Sequence, residues 1–348
     1  MIHGGDIYRN KVNMDFSVNL NPLGTPEEIL QAARESLNKA GCYPDPYQEE
    51  IRALIGNHVG LSKECVFAGC GASQLIDAAT AAVHPGRVLF FEPSFPGYEH
   101  ATRMQQARIR RRPLSSENGF HLTEEDLSFI DDGVDLVYVC DPANPTGVNV
   151  DGDILETLLV RAKEAEAFVI LDESFYPLSE KATGDPNGAA SLVKRFDNLY
   201  LIRSMTKHFA APGLRFGYVL SHPENIEKLR AMLPEWNLPT TSEAALKAGI
   251  WLLEESDFAA RSLDTIRRER EYLTEALRDA GLTVFDSDTS FLFLHASFDL
   301  KEALLQREIL IRDFKEPYPM PGYFRIAVKD HASNEVLVGM IKEITDAL

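Results

Sequence analysis

The sequence contains no apolar run near the ~18 residues that cross a bilayer, so no transmembrane helix is expected. Positive charge is also scarce. Against 53 Asp and Glu stand 35 Lys and Arg, a formal net charge of −18. That balance disfavours a nucleic-acid surface, which is normally basic, and an anionic membrane for the same reason. Cysteine is rare, with only Cys42, Cys65, Cys70 and Cys140 in 348 residues. No two form a CxxC pair and no histidine falls at zinc-ligand spacing, so neither a disulfide framework nor a metal site is expected. The opening Met1 to Asp6 lacks a basic stretch followed by an apolar one, so no secretory signal is expected either. The expectation is a cytoplasmic protein with reduced thiols.

What is present suits a globular chain, with 45% apolar and 25% charged residues. Short apolar runs recur, each ending in a polar or Gly/Pro cluster. Val88 to Phe91, Leu136 to Cys140, Phe168 to Leu171, Leu199 to Ile202 and Phe216 to Leu220 read as strands buried on both faces. Helical patterns such as Ile154 to Ala167 lie between several of them, which predicts an α/β fold with a mostly parallel sheet. Beyond about residue 240 the texture changes. Leu263, Ile266, Leu273 and Leu277 keep helical spacing, and Ser290 to Leu294 and Tyr323 to Val328 read as strands before a final helix. We therefore divide the chain into an N-terminal arm (1–30), a large domain (31–240) and a smaller α+β domain (241–348).

Polar residues at the carboxyl ends of buried parallel strands are the natural site in such a sheet. Asp172 directly follows one run; it reads either as a helix N-cap or as the partner of a buried cationic nitrogen. Lys207 follows another. A lone lysine there is ordinarily solvated. Here Ser204 and Thr206 precede it and Arg215 follows, a set that suits a phosphate. An amine, a buried carboxylate and phosphate donors together are what pyridoxal phosphate needs. Gly69 to Ser73 forms a glycine turn ahead of a helical stretch, which offers free N–H groups to an anion or simply starts a helix. Asn144 reads as a turn residue or as a donor to a phenolic oxygen, and Tyr98 as a half-buried aromatic or a ring stacked on the cofactor. Arg103, Arg108, Arg110, Arg111 and Arg112 form a basic patch, either an anion-attracting surface or a strand edge guarded by charge.

The ordered set Asn144-Pro145-Thr146-Gly147, Asp172-Glu173, Ser204-Met205-Thr206-Lys207 and Arg215-Phe216-Gly217-Tyr218 resembles the fold-type-I pyridoxal-phosphate enzymes of aminotransferase class I/II. Within them, the chain resembles histidinol-phosphate aminotransferases and L-threonine-O-3-phosphate decarboxylases. His3-Gly4-Gly5 with Asp15 to Gly24 is similar to the decarboxylase opening, and Phe175 stands where the aminotransferases usually carry tyrosine. The resemblance implies a three-layer α/β/α large domain around a seven-stranded, mostly parallel sheet. It implies that Lys207 attaches the cofactor covalently, that Asp172 keeps its pyridine nitrogen protonated, that Asn144 bonds its ring oxygen and that Tyr98 stacks on its ring. Gly71, Ala72, Ser73, Ser204, Arg215 and a partner subunit's Tyr43 would hold its phosphate, in a homodimer with shared sites. Arg325 and Arg312 would bind the anionic groups of a small phosphorylated amino acid, with His3, Gly4 and Asn19 lining its phosphate end. The implied reaction is decarboxylation of L-threonine O-3-phosphate to 1-amino-2-propanol phosphate in cobalamin biosynthesis. Transamination of histidinol phosphate and decarboxylation of serine phosphate are the alternatives. A non-catalytic effector domain of a transcription regulator is disfavoured by the charge of −18. Pro234 to Leu238 and Lys315 to Pro321 depart from the decarboxylase pattern.

Overall fold

The computed structural model describes residues 4–314 and 319–347. His3 and part of the Lys315 to Pro321 segment thus lie outside the described residues. The central sheet has seven strands: β1 (Val66–Gly69), β2 (Arg87–Glu92), β3 (Arg108–Pro113), β4 (Leu136–Cys140), β5 (Phe168–Asp172), β6 (Leu199–Ser204) and β7 (Gly217–Ser221). Their spatial order is β1-β7-β6-β5-β4-β2-β3. Only β7 runs antiparallel to its neighbours.

Successive side chains of a strand point to opposite faces, so a strand buried twice needs apolar residues at every position. That is how this sheet is filled. Val137, Val139, Val169, Leu171, Leu199 and Leu201 join one apolar cluster, with Ile51 and Ile55 of helix Glu49–Val59 and Leu155, Leu158 and Leu159 of helix Gly152–Glu164. Leu136, Tyr138, Ile170, Tyr200 and Ile202 join another, with Leu75 and Ile76 of helix Ala72–Val83 and Leu229 of helix Pro223–Arg230. The result is three layers, and each wholly buried aliphatic side chain contributes roughly 1.5–3 kcal/mol.

A second, antiparallel sheet follows: β8 (Thr283–Val284), β9 (Phe291–His295), β10 (Arg312–Asp313) and β11 (Tyr323–Ala327), in order β10-β11-β9-β8. Leu273 and Leu277 of helix Phe258–Asp279 and Leu337 and Ile341 of helix His331–Asp346 cover it. Phe16 of the arm belongs to this smaller core, and Met14–Asp15 pairs in parallel with Ile309–Leu310. Ala245, Leu246, Ile250 and Phe258 pack instead into the large core. We therefore propose a division inside helix Phe258–Asp279 in place of one at residue 240.

Four of the five arginines of the basic patch lie on the edge strand β3, and Arg103 lies on the preceding helix Pro96–Met104. Arg110 pairs with Asp131 at 2.7 Å, Arg111 with Glu92 and Glu99, and Arg112 with Asp126 at 2.7 Å. Arg103 pairs with Glu99 as well. These carboxylates answer the arginines within the chain, which favours the guarded strand edge over an anion-binding surface.

Candidate active site

The carboxyl ends of β4, β5 and β6 lie side by side, with Cys140 opposite Asp172 and Asp172 opposite Ile202. A cavity of about 310 Å³ opens there, and Lys207, Asp172, Asn144, Arg215, Ser73 and Arg325 are among the residues that line it. Residues distant in the chain thus meet in one space, as in the bond between Asn144 and Arg325, 181 positions apart.

Asp172 ends β5 and is 4% exposed. Its Oδ2 accepts from the Tyr98 hydroxyl at 2.7 Å and its Oδ1 from the Ser174 N–H at 2.9 Å. Two neutral donors orient a buried carboxylate without neutralising it, so the site favours a buried cation beside it. Burial, followed by the Asp172 charge, raises the Tyr98 hydroxyl well above its usual range and keeps it a donor. The structure corrects the expected stacking role of Tyr98. Its ring lies against Tyr138, with centroids 4.6 Å apart at 9°, and at 1% exposure it offers no free face. Phe95, three residues earlier, lines the cavity instead. Tyr98→Phe leaves one oxygen of Asp172 without its donor. Spectroscopic titration of the apoprotein should then show roughly tenfold weaker cofactor binding, the worth of one hydrogen bond to a charged group.

Lys207 sits on the single turn Met205–His208, directly after β6. Burial first, then the like charges of Arg215 and Arg325, hold its amine below the ordinary lysine value against the pull of Asp172. A lowered amine is neutral, and therefore nucleophilic, at lower pH. The rate at which the apoprotein captures an aldehyde should rise with pH and level off below the ordinary value of 10.5. Arg325→Met removes one like charge, so the plateau should move to higher pH in a stopped-flow profile.

A candidate anion site lies at the start of helix Ala72–Val83, where Gly71 has φ +85° and no side chain among the described residues caps the first N–H groups. Such a turn presents free donors to an anion. Arg215 adopts a left-handed φ of +50°, an unusual conformation for a residue other than glycine, and its guanidinium lies against Gly71. A Cβ at Gly71 would lie 2.7 Å from Arg215 Nη2. Ser204 is 1% exposed, shares a hydrogen bond of 2.8 Å with Thr206 and does not line the cavity. Tyr43 is 79% exposed, stacks on Trp236 and lies outside this chain's cavity.

At the opposite wall, Arg325 Nη1 donates to Asn144 Oδ1 at 2.5 Å and Nη2 to the Ser17 carbonyl at 2.9 Å. Arg325 can only donate, so the Asn144 oxygen is committed and its amide N–H₂ remains for a ligand. Arg312 stands directly across the strand pair from Arg325. Like charges in that register repel. Burial first and Arg312 second push Arg325 down to about 9, still a cation at neutral pH. Gly4 lines the cavity, and a Cβ there would fall 2.3 Å from the Ser17 carbonyl oxygen. Asn19 lines it too, 3% exposed, with neither side-chain amide atom hydrogen-bonded among the described residues. Ser174, Cys140 and Phe95 also line the cavity and were not singled out from the sequence.

These groups fit pyridoxal 5′-phosphate: an amine, a buried carboxylate oriented by neutral donors, a helix start with an arginine beside it, an amide donor and an aromatic wall. Fold and site together define a fold-type-I pyridoxal-phosphate enzyme. The chain belongs to the aminotransferase class I and II family, whose model matches residues 11–341. Threonine-phosphate decarboxylase of Salmonella typhimurium is 28% identical over 95% of this chain and 91% of its own. Histidinol-phosphate aminotransferase of Halalkalibacterium halodurans is 29% identical over 95% and 88%. The structure of histidinol-phosphate aminotransferase from Clostridium acetobutylicum superposes with a TM-score of 0.87 at 28% identity, covering 96% of this chain and 100% of that one. No helix among the described residues is long and apolar enough to cross a membrane.

Proposed function

We propose that the protein decarboxylates L-threonine O-3-phosphate to 1-amino-2-propanol phosphate, the reaction that serves cobalamin biosynthesis. The observation that carries this reading is Arg325 in the lining of the Lys207 cavity, with Arg312 directly across the strand pair from it though not itself in that lining. Two neighbouring cations suit a substrate with two anionic groups, a carboxylate and a phosphate. Histidinol phosphate itself carries only the phosphate; in its transamination the two carboxylates belong to 2-oxoglutarate. Phe175, whose ring centroid lies 5.7 Å from Lys207 Nζ, presents an apolar wall where the aminotransferases usually have a tyrosine hydroxyl.

The bound cofactor supplies an electron sink for the bond that breaks at Cα. The chain decides which bond that is. Asp172, held by Tyr98 and Ser174, stabilises positive charge at the pyridine nitrogen. Arg325 and Arg312 would hold the substrate's anions and so decide which bond at Cα is placed to break, a positioning effect. Asn19 offers both amide atoms to the substrate. Lys207 would be the attachment point, and its amine would then be the base available in the cavity.

A homodimer belongs to the same proposal. Tyr43 and Trp236 form an exposed aromatic stack with centroids 4.5 Å apart, and Tyr47 is 58% exposed. A second copy would cover this apolar area and place Tyr43 at its neighbour's cofactor phosphate.

The test is CO₂ release from L-threonine O-3-phosphate by the cofactor-loaded protein without added keto acid. Turnover with stoichiometric CO₂ supports the reading. A spectral response to substrate without CO₂ overturns it, and histidinol phosphate with 2-oxoglutarate becomes the next assay. Serine phosphate is the natural competitor, because one methyl is worth only about 1–3 kcal/mol in a pocket.

A further inference from the structure

Asn21 has no part in the site as described, yet it joins the arm to the segment that carries Lys207. The turn Met205–His208 is only four residues long, so its last carbonyls need partners from elsewhere. The N–H groups of Phe209 and Ala210 take the carbonyls of Met205 and Lys207, at 3.1 and 3.2 Å. The Asn21 N–H also donates to the Lys207 carbonyl, at 3.1 Å. Its Nδ2 donates to the His208 carbonyl at 2.8 Å and to Ser262 Oγ at 2.7 Å. Its Oδ1 accepts from the Leu23 N–H at 3.0 Å, which fixes the amide's orientation. Asn21 is 3% exposed, so these bonds do not compete with bulk water.

We propose that Asn21 is a positioning residue for Lys207, holding the backbone of residues 207 and 208 so that Nζ points into the cavity. The proposal rests on Lys207 being the cofactor's attachment point. The direction of a side chain follows from its backbone, and a one-turn helix has little rigidity of its own. Asn21 supplies the missing constraint from a segment 186 residues away in the sequence. Its neighbourhood extends the same hold. Thr25 donates to the Ala210 carbonyl at 2.7 Å, and four residues before Asn21 the Ser17 carbonyl is held by Arg325.

The experiment compares Asn21→Ala with Ser262→Ala, which removes the second acceptor of Nδ2 but leaves the bond to His208. Trace acylation of the apoprotein across a pH series, with the Lys207 peptide read by mass spectrometry, gives the midpoint of the amine's reactivity. In Asn21→Ala the amine should gain solvent, and its midpoint should rise by about one pH unit, a tenfold loss of neutral amine near pH 7. In the loaded protein kcat should fall about tenfold with KM within twofold. Ser262→Ala should change neither, although both variants lose thermal stability. An unmoved Lys207 midpoint in Asn21→Ala, with stability lowered as in Ser262→Ala, overturns the proposal and leaves Asn21 as a stabilising contact only. Asn21→Asp, close in shape but without the N–H₂ donor, serves if the alanine variant does not fold. Borohydride reduction of the loaded protein keeps the two levels apart. Cofactor found on another lysine sinks the attachment assignment, while the apoprotein midpoint still decides the hold of Asn21.

Discussion

Lys207→Ala is expected to abolish turnover, by at least about 10³-fold, while leaving the fold intact. The magnitude follows from the two duties the geometry gives one amine. Proton transfer by a placed group contributes typically 10²–10⁴-fold, and loss of covalent attachment adds to that. Lys207 lines the cavity, and the helix turn that carries it is held by backbone bonds and by Asn21, none of which involve Nζ. Removing the amine also relieves a crowded set of cations, since Arg215 and Arg325 both act on it. Circular dichroism and melting temperature should therefore match the parent or rise slightly. The cofactor should still bind, through Asp172 and the phosphate end, but should dialyse away. Residual turnover above a few per cent would show that the amine is not the group that matters. An exogenous primary amine that partly restores turnover would separate the chemical role from a structural one.

The largest effect on stability is expected one residue from the site. Glu173 and Arg203 are 1% and 2% exposed, and Glu173 Oε2 accepts from Arg203 Nε at 2.9 Å and Nη2 at 2.7 Å. The remaining valences are used as well: Glu173 Oε1 accepts from the Ala189 N–H at 2.9 Å, and Arg203 reaches the Asn187 carbonyl and the Tyr218 hydroxyl. Glu173→Ala leaves a guanidinium buried without its counter-charge. Breaking such a pair costs about 3–5 kcal/mol, on the order of a 5–10 °C drop in melting temperature for a domain of this size. Replacing both partners by apolar residues should cost less than either single change, because no unpaired charge remains. Calorimetry of the two single variants and the double variant tests this, and additive losses would refute it. Glu173 and Arg203 directly adjoin Asp172 and Ser204, so the same variants should weaken cofactor binding.

Much of this arrangement is legible in the sequence, for physical reasons. Strands buried on both faces are continuous apolar runs, and their ends mark Asp172 and the Lys207 turn as candidates, each with a structural alternative that only the joint motif sets aside. Two strands of the sheet escape that rule. β1 is only four residues long, and β3 is dominated by arginines whose partners come from Glu92, Glu99, Asp126 and Asp131. The choice between Phe95 and Tyr98 is also beyond spacing. Both precede or open helix Pro96–Met104, and only packing shows that Tyr98 turns onto Tyr138 while Phe95 meets the cavity. Asn21 carries no local signal at all. Asparagine before proline reads as a turn, and its partners His208 and Ser262 lie 187 and 241 residues away. The arm illustrates the same limit. Phe16 belongs to the small core and Asn21 to the large domain's lysine turn, so one short segment serves both.

The arginine-lined edge of the sheet has a consequence for behaviour in acid. At neutral pH its ion pairs leave β3 close to balanced in charge, and the long side chains block another strand from adding to it. As pH falls, the carboxylates take up protons while the guanidiniums keep their charge. The edge then becomes strongly cationic, and two copies approaching edge to edge repel each other. A sheet that would otherwise be most prone to fibril-like stacking when partly unfolded in acid is protected most strongly under those conditions.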